Sequence, residues 1–197
     1  MQGAFDFYHD LAPRPRRPER LFFGLFPDAE TAGLIETFRQ QFQRDNGLPG
    51  RPLRPDRLHV SLQHVGDYAR LPGTVVYAAG AAGKAVAARA CLVTFRFVGS
   101  FAPPPSRGER VRRPPLVLLG DGAAFDALQG ALGAALTMNG LRAGGPLTPH
   151  MTLSYGPRQI APRPITPIRF LARELVLIHS ELWRTRYNIL GRWPLRD

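Results

Sequence analysis

Cysteine, lysine and long apolar runs are what this 197-residue chain is short of. Cys91 is its one cysteine, so no intrachain disulfide can form and no thiolate metal cluster can be assembled. Cys91 alternates with Val93, Phe95 and Phe97, the pattern of a buried strand residue and not of a nucleophile. No stretch is apolar for long enough to span a bilayer or to act as a signal peptide, so the expectation is a cytoplasmic protein with no membrane partner. Acids are scarce as well: 15 Asp+Glu stand against 26 Lys+Arg, for a net charge of +11. Lys84 is the single lysine, so the basic character belongs to arginine, which pairs bidentately with phosphate and stacks on bases. That balance leans toward a polyanionic partner. A genome favouring Arg, Ala, Gly and Pro would give the same bias with no partner at all, so charge alone decides little.

What is present is enough for a core. The chain is 44% hydrophobic and 21% charged, which suits one domain, or one domain made of two lobes. Residues 1–18 end in Ala12-Pro13-Arg14-Pro15-Arg16-Arg17-Pro18 and read as a flexible basic tail, with His9 in it assigned no role. The folded part is expected over 19–197. Leu21 to Phe26 reads as a buried strand, and Asp28 as the cap of a helix whose apolar stripe is Leu34, Ile35, Phe38 and Phe42. Asn46-Gly47 supplies a left-handed stop, and a proline-rich link leads to His59. The order then recurs. Leu116 to Leu119 reads as a strand, Phe125, Leu128, Leu132, Ala135 and Leu136 as a helical stripe, and Asn139-Gly140 as a stop before the approach to His150. This is the pattern of an internal duplication.

Between the copies, Thr74 to Ala90 reads as an alanine-rich helix, residues 91–98 as a strand, and Pro103 to Gly108 as a surface loop. Leu175 to Ile178 and Tyr187 to Leu190 read as a closing hairpin. The fold class expected is α+β: two pseudo-symmetric lobes, each an antiparallel sheet with helices on its outer side, and a catalytic cleft between them.

The two copies carry the same short motif, His59-Val60-Ser61-Leu62 and His150-Met151-Thr152-Leu153. On a strand, residues two apart share a face, so His59 with Ser61, and His150 with Thr152, face outward while their neighbours enter the core. Opening a cyclic phosphodiester needs one proton taken from water and another given to the leaving oxygen. Imidazole does either near neutral pH, and hydroxyls hold the phosphate oxygens. One such motif alone is ordinarily a half-buried strand histidine. No carboxylate or cysteine accompanies either copy at ligand spacing, so no metal and no cofactor is expected.

These paired motifs resemble those of the two-histidine phosphoesterase superfamily, in particular bacterial RNA 2′,3′-cyclic phosphodiesterases, once named 2′-5′ RNA ligases. The resemblance runs from about Arg20 to the C-terminus. It takes in Leu21 to Pro27, the Arg54-Pro55-Asp56-Arg57-Leu58-His59 approach, Pro149-His150, Leu175 to Ser180 and Tyr187 to Leu195. It implies the two-lobed fold, His59 and His150 as general acid and base in that order, and Ser61 and Thr152 as phosphate ligands. The implied reaction is metal-independent hydrolysis of 2′,3′-cyclic ends of RNA or nucleotides to 2′-phosphates, with weak reversible 2′-5′ ligation; a monomer is expected. Ser61 stands where threonine is commoner. Ser154-Tyr155 stands where Ala-Arg often follows, and Tyr155 either contacts base or ribose or packs at a strand end.

Other residues rank below these. His64 falls opposite His59 by strand parity, and His179 reads as a satisfied core or edge histidine. Of Phe22 and Phe23, one is expected in the core and the other at the cleft. Trp183 and Trp193 read as packing aromatics. Arg57, Arg110, Arg112, Arg113 and Arg158 are groove candidates or plain surface residues. Two rivals remain: a phosphodiesterase for 2′-5′ oligoadenylate or another small cyclic ester, and a non-catalytic module that binds RNA ends.

Overall fold

The computed structural model describes residues 16–101 and 113–196. Most of the expected 1–18 tail, the Pro103–Gly108 loop, His9, Arg110 and Arg112 lie outside the described residues. The elements run β1 (Glu19–Leu25), α1 (Ala29–Asp45), β2 (Arg51–Pro52), β3 (Val60–Tyr68), α2 (Gly73–Ala85), β4 (Cys91–Gly99), β5 (Pro115–Asp121), α3 (Ala123–Met138), β6 (His150–Tyr155), β7 (Arg163–Ala172), β8 (Glu174–Glu181) and β9 (Arg186–Pro194). The fold is α+β, with an antiparallel sheet in the order β7-β4-β5-β6-β3-β1-β8-β9 and the short β2 on β6.

Two halves, β3-β1-β8-β9 and β6-β5-β4-β7, meet at one residue pair, Val60 opposite Met151. Both of these side chains are fully buried in the core that the helices also enter through Ile35, Ala82, Leu128 and Leu132. Beyond that pair β3 and β6 part. Leu53 N–H donates to the Leu153 carbonyl, and β2 takes up the β6 edge. A sheet pinned at one pair and parting beyond it leaves a concave face at the seam, opposite the helices.

Local chemistry sets the helix ends. Asp28 Oδ1 accepts from Thr31 N–H at 2.7 Å, the capping bond expected of it. Gly47 and Gly140, at φ 55° and 75°, make the two left-handed stops. The stripe of α3 is buried as expected, but Leu34 in α1 is 60% exposed and the helix buries Thr31, Ile35 and Arg39 instead. The expected alanine-rich helix ends early, at Ala85. The Ala88 carbonyl and Ala90 N–H are claimed by Arg196, and that tertiary pairing overrides helix propensity.

Two more departures lie in the strands. In β4 the register skips Arg96, so Phe97 turns outward and is 44% exposed, while Cys91, Val93 and Phe95 are buried. Burial also pushes the Cys91 thiol up to about 11, which leaves it inert. Sequence periodicity picks out no strand over 163–172, where prolines stand at 164 and 167; β7 lies at the sheet edge, where a missing N–H costs no ladder bond.

Candidate active site

The register through Val60 and Met151 sets Ser61 opposite His150 and His59 opposite Thr152, all four on the concave face. Together they line a cleft of about 640 Å³. Each histidine is held in the same way. His59 Nδ1–H donates to the Arg57 carbonyl at 2.7 Å, and His150 Nδ1–H to the Thr148 carbonyl at 2.9 Å. A carbonyl only accepts, so both neutral rings carry their proton on Nδ1 and leave the Nε2 lone pair for the cleft.

Aromatic rings set each imidazole's tilt. Tyr187 meets His59 edge-on at 5.5 Å, and Phe101 meets His150 edge-on at 4.8 Å. Phe22 and Phe26 enclose His59 further, at 5.1 and 6.1 Å. Gly24 lies beneath the same ring in a tight space: an added Cβ would sit 3.1 Å from Ile178 Cδ1, 3.2 Å from the Val60 carbonyl and in contact with the His59 ring at 3.6 Å. This burial, with the positive Arg57 guanidinium nearby, lowers the His59 pKa to about 4. His59 is therefore a neutral imidazole at pH 7.

Among the other expectations, Phe23 is in the core and Phe22 at the cleft. Tyr155 is 45% exposed at the cleft rim, and does not bury itself at the strand end. His179 is satisfied by Glu19 and lies near Asn188. Arg57 lines the cleft and stacks over Tyr187 at 4.2 Å, and among the described residues its Nε is the one buried side-chain nitrogen without a hydrogen-bond partner. Arg158 lies elsewhere, beside Pro114 and Gly156, and Arg113 is simply exposed. Trp193 packs on Phe23, but Trp183 is 44% exposed in the β8–β9 turn, under Arg184, and not a core aromatic.

His64 is the clearest correction. Against β1 the register of β3 skips Leu62 and Val65, and Leu62 and Gln63 both point inward. That bulge reverses the parity, so His64 shares the cleft with His59 and Ser61. There it forms a cluster with Asp67 at 3.0 Å and Arg20, whose guanidinium grips Asp67 through bonds of 2.7 and 2.9 Å. Those bonds lower the Asp67 pKa to about 2. Arg20, Phe101, Tyr187 and Leu147 belong to the site and were not singled out from sequence. Arg20 and Tyr187 come from strands paired across the sheet, and Phe101 from the end of β4, so no local spacing points to them.

Two imidazoles and two hydroxyls facing one cleft have the donors and titratable nitrogens to receive an anion between them. Among the described residues no three His, Cys, Asp or Glu side chains are grouped to hold a metal. No described helix is long and apolar enough to cross a membrane. A seam of two His-x-hydroxyl strands in a pseudo-symmetric α+β sheet defines the two-histidine phosphoesterase class. The chain belongs to the 2′-5′ RNA ligase superfamily, which it matches over residues 26–182. Its fold is similar to that of E. coli LigT, solved with ATP (TM-score 0.68, 23% identity, 91% of this chain and 99% of that one) and with 3′-AMP (0.65, 25%, 91% and 99%). It is also similar to the Thermus thermophilus protein TT0787 (0.66, 22%, 90% and 98%). Comparison with curated protein sequences gives no match.

Proposed function

We propose that the chain hydrolyses 2′,3′-cyclic phosphate ends of RNA or nucleotides to 2′-phosphates, with His59 and His150 as the acid–base pair and no metal. The observation that carries this reading is the mirrored placement of the two imidazoles, each with Nδ1 tied to a backbone carbonyl and Nε2 left to one cleft. One Nε2 takes the proton of the attacking water as its oxygen bonds to phosphorus. The other Nε2 protonates the 3′-oxygen as its bond to phosphorus breaks. Ser61 and Thr152 donate to the non-bridging oxygens, each contributing a few kcal/mol as charge builds. Tyr155 at the rim contacts the terminal base or ribose. If a 5′-hydroxyl replaces water, the same displacement yields a 2′-5′ linkage, a minor reaction because water is far more concentrated.

The neutral state of His59 fits the base role directly. In the acid role, which the family resemblance implies, His59 gains its proton as the anionic phosphate enters beside it. Wild-type protein in EDTA should convert an oligoribonucleotide with a 2′,3′-cyclic end into a 2′-phosphate. His59→Ala and His150→Ala should each lose about 10²-fold or more. A cyclic end left intact by wild type defeats the proposal.

A further inference from the structure

We infer that an arginine-walled trough beside the catalytic cleft holds the ribose–phosphate backbone of an RNA strand whose 3′ end lies between His59 and His150. The favoured substrate is then an oligonucleotide and not a free cyclic mononucleotide. The inference rests on the proposed phosphodiesterase reading and names the substrate class for it.

The trough encloses about 660 Å³, as much as the cleft, and the two spaces share Arg57, Thr185 and Tyr187 as a common wall. Each is of the size that takes a nucleotide-scale ligand. Arg54, Arg57, Arg184, Arg186 and Arg192 line the trough from two separate parts of the chain: the turn before His59, and the β8–β9 hairpin. Asp56 is the one acid among the described residues that line it, and Arg54 already holds it with bonds of 3.0 and 2.8 Å. Glu174 anchors Arg192 at 2.8 Å and Glu181 anchors Arg184 at 3.2 Å, and both arginines stay about half exposed. A guanidinium has five donors, so each keeps N–H groups for phosphate.

Two further observations favour a nucleic-acid strand over a generic anion. Aromatic rings stand among the cations: Phe26 and Tyr187 line the trough, and at its edge the Arg184 guanidinium lies over the Trp183 ring at 4.4 Å. Rings and guanidinium planes interleaved with charge are what bases and phosphates of a single strand require. At the point where trough and cleft meet, Thr185 holds φ at 50°, the one non-glycine residue in the left-handed region among those described. A β-branched side chain is costly there, and strain of this kind is retained where geometry matters.

The test compares cytidine 2′,3′-cyclic phosphate with a short oligoribonucleotide carrying the same cyclic end, using wild type, Arg184→Ala/Arg186→Ala and Arg186→Gln. Wild type should favour the oligonucleotide in kcat/KM by about tenfold or more, and the double variant should lose that advantage while turning over the mononucleotide as before. Its log–log salt dependence for the oligonucleotide between about 50 and 200 mM should flatten by about 1.4, the value for two lost single-strand phosphate contacts. An undiminished preference in the variants overturns the trough and leaves the hydrolase intact. If wild type hydrolyses neither compound, the proposed reaction fails, and fluorescence anisotropy with an oligoribonucleotide ending in a 3′-phosphate decides the trough alone. Binding weakened about tenfold by the double variant supports it, and equal binding overturns it.

Discussion

Acidification should find its weak point at His59. In an unfolded chain its imidazole takes a proton near pH ~6.5; in the fold, burial against Phe22, Phe26 and Tyr187 holds it near about 4. Folding thus lowers this pKa, so the unfolded chain binds more protons between the two values and stability rises with pH across that window. The contribution is complete above about pH 6.5 and disappears as pH falls toward 4. The full displacement is worth ~3 kcal/mol, an upper figure because one edge of the ring faces the open cleft. That is a large share of a typical net stability of about 5–15 kcal/mol. Urea unfolding at a series of pH values, in wild type and His59→Ala, reads the effect as a difference in slope, which is insensitive to the packing lost with the ring. Imidazole NMR follows the same proton directly, and inorganic phosphate in the cleft should raise the His59 midpoint. A His59 resonance that titrates near 6.5 in phosphate-free buffer, with equal pH slopes for both proteins, would refute the burial argument.

Other perturbations have equally definite outcomes. Gly24→Ala forces a methyl group to within 3.1 Å of Ile178 and 3.2 Å of the Val60 carbonyl, so urea unfolding should show a loss of about 1–3 kcal/mol and kcat should fall as His59 shifts. Gln63→Ala removes the acceptor for Gly144 N–H, which ties the loop before His150 to the sheet, and the donor to the Gln129 carbonyl, which ties α3 to it; a loss of about 1–3 kcal/mol is expected in the same assay. Ile35→Ala should cost about 2–5 kcal/mol and Leu34→Gln less than about 0.5, the contrast their burial demands. Thr152→Ala should lower kcat by roughly 10²-fold or more in steady-state kinetics, and Ser61→Thr, which keeps the hydroxyl, should change it little.

The site was legible in the sequence where one strand's periodicity is enough. His59 with Ser61, and His150 with Thr152, needed only the two-residue repeat and its recurrence, and Asp28 and the two Asn-Gly stops needed only cap chemistry. Legibility ended where a second strand decides. The skipped Leu62 turns His64 into the cleft, and nothing in the spacing of His59, Ser61 and His64 signals a bulge. Leu34 satisfies the helical stripe as well as Ile35 does, but only Ile35 meets the core. The prolines of β7 break a strand pattern unless its edge position is known. Tyr187 and Arg20 reach the cleft through the β1–β8–β9 pairing, an arrangement no local window contains.

The central claim is that His59 and His150 act as one acid–base unit without a metal. It is tested most directly by following hydrolysis of cytidine 2′,3′-cyclic phosphate by ³¹P NMR in EDTA, with wild type, each His→Ala variant and the double variant. A paired mechanism predicts a 2′-phosphate product and a loss of about 10²-fold or more in each single variant. The double variant should be scarcely worse than either, because residues acting as a unit are not additive. Losses that multiply in the double variant, or a substrate untouched by wild type, would contradict the account.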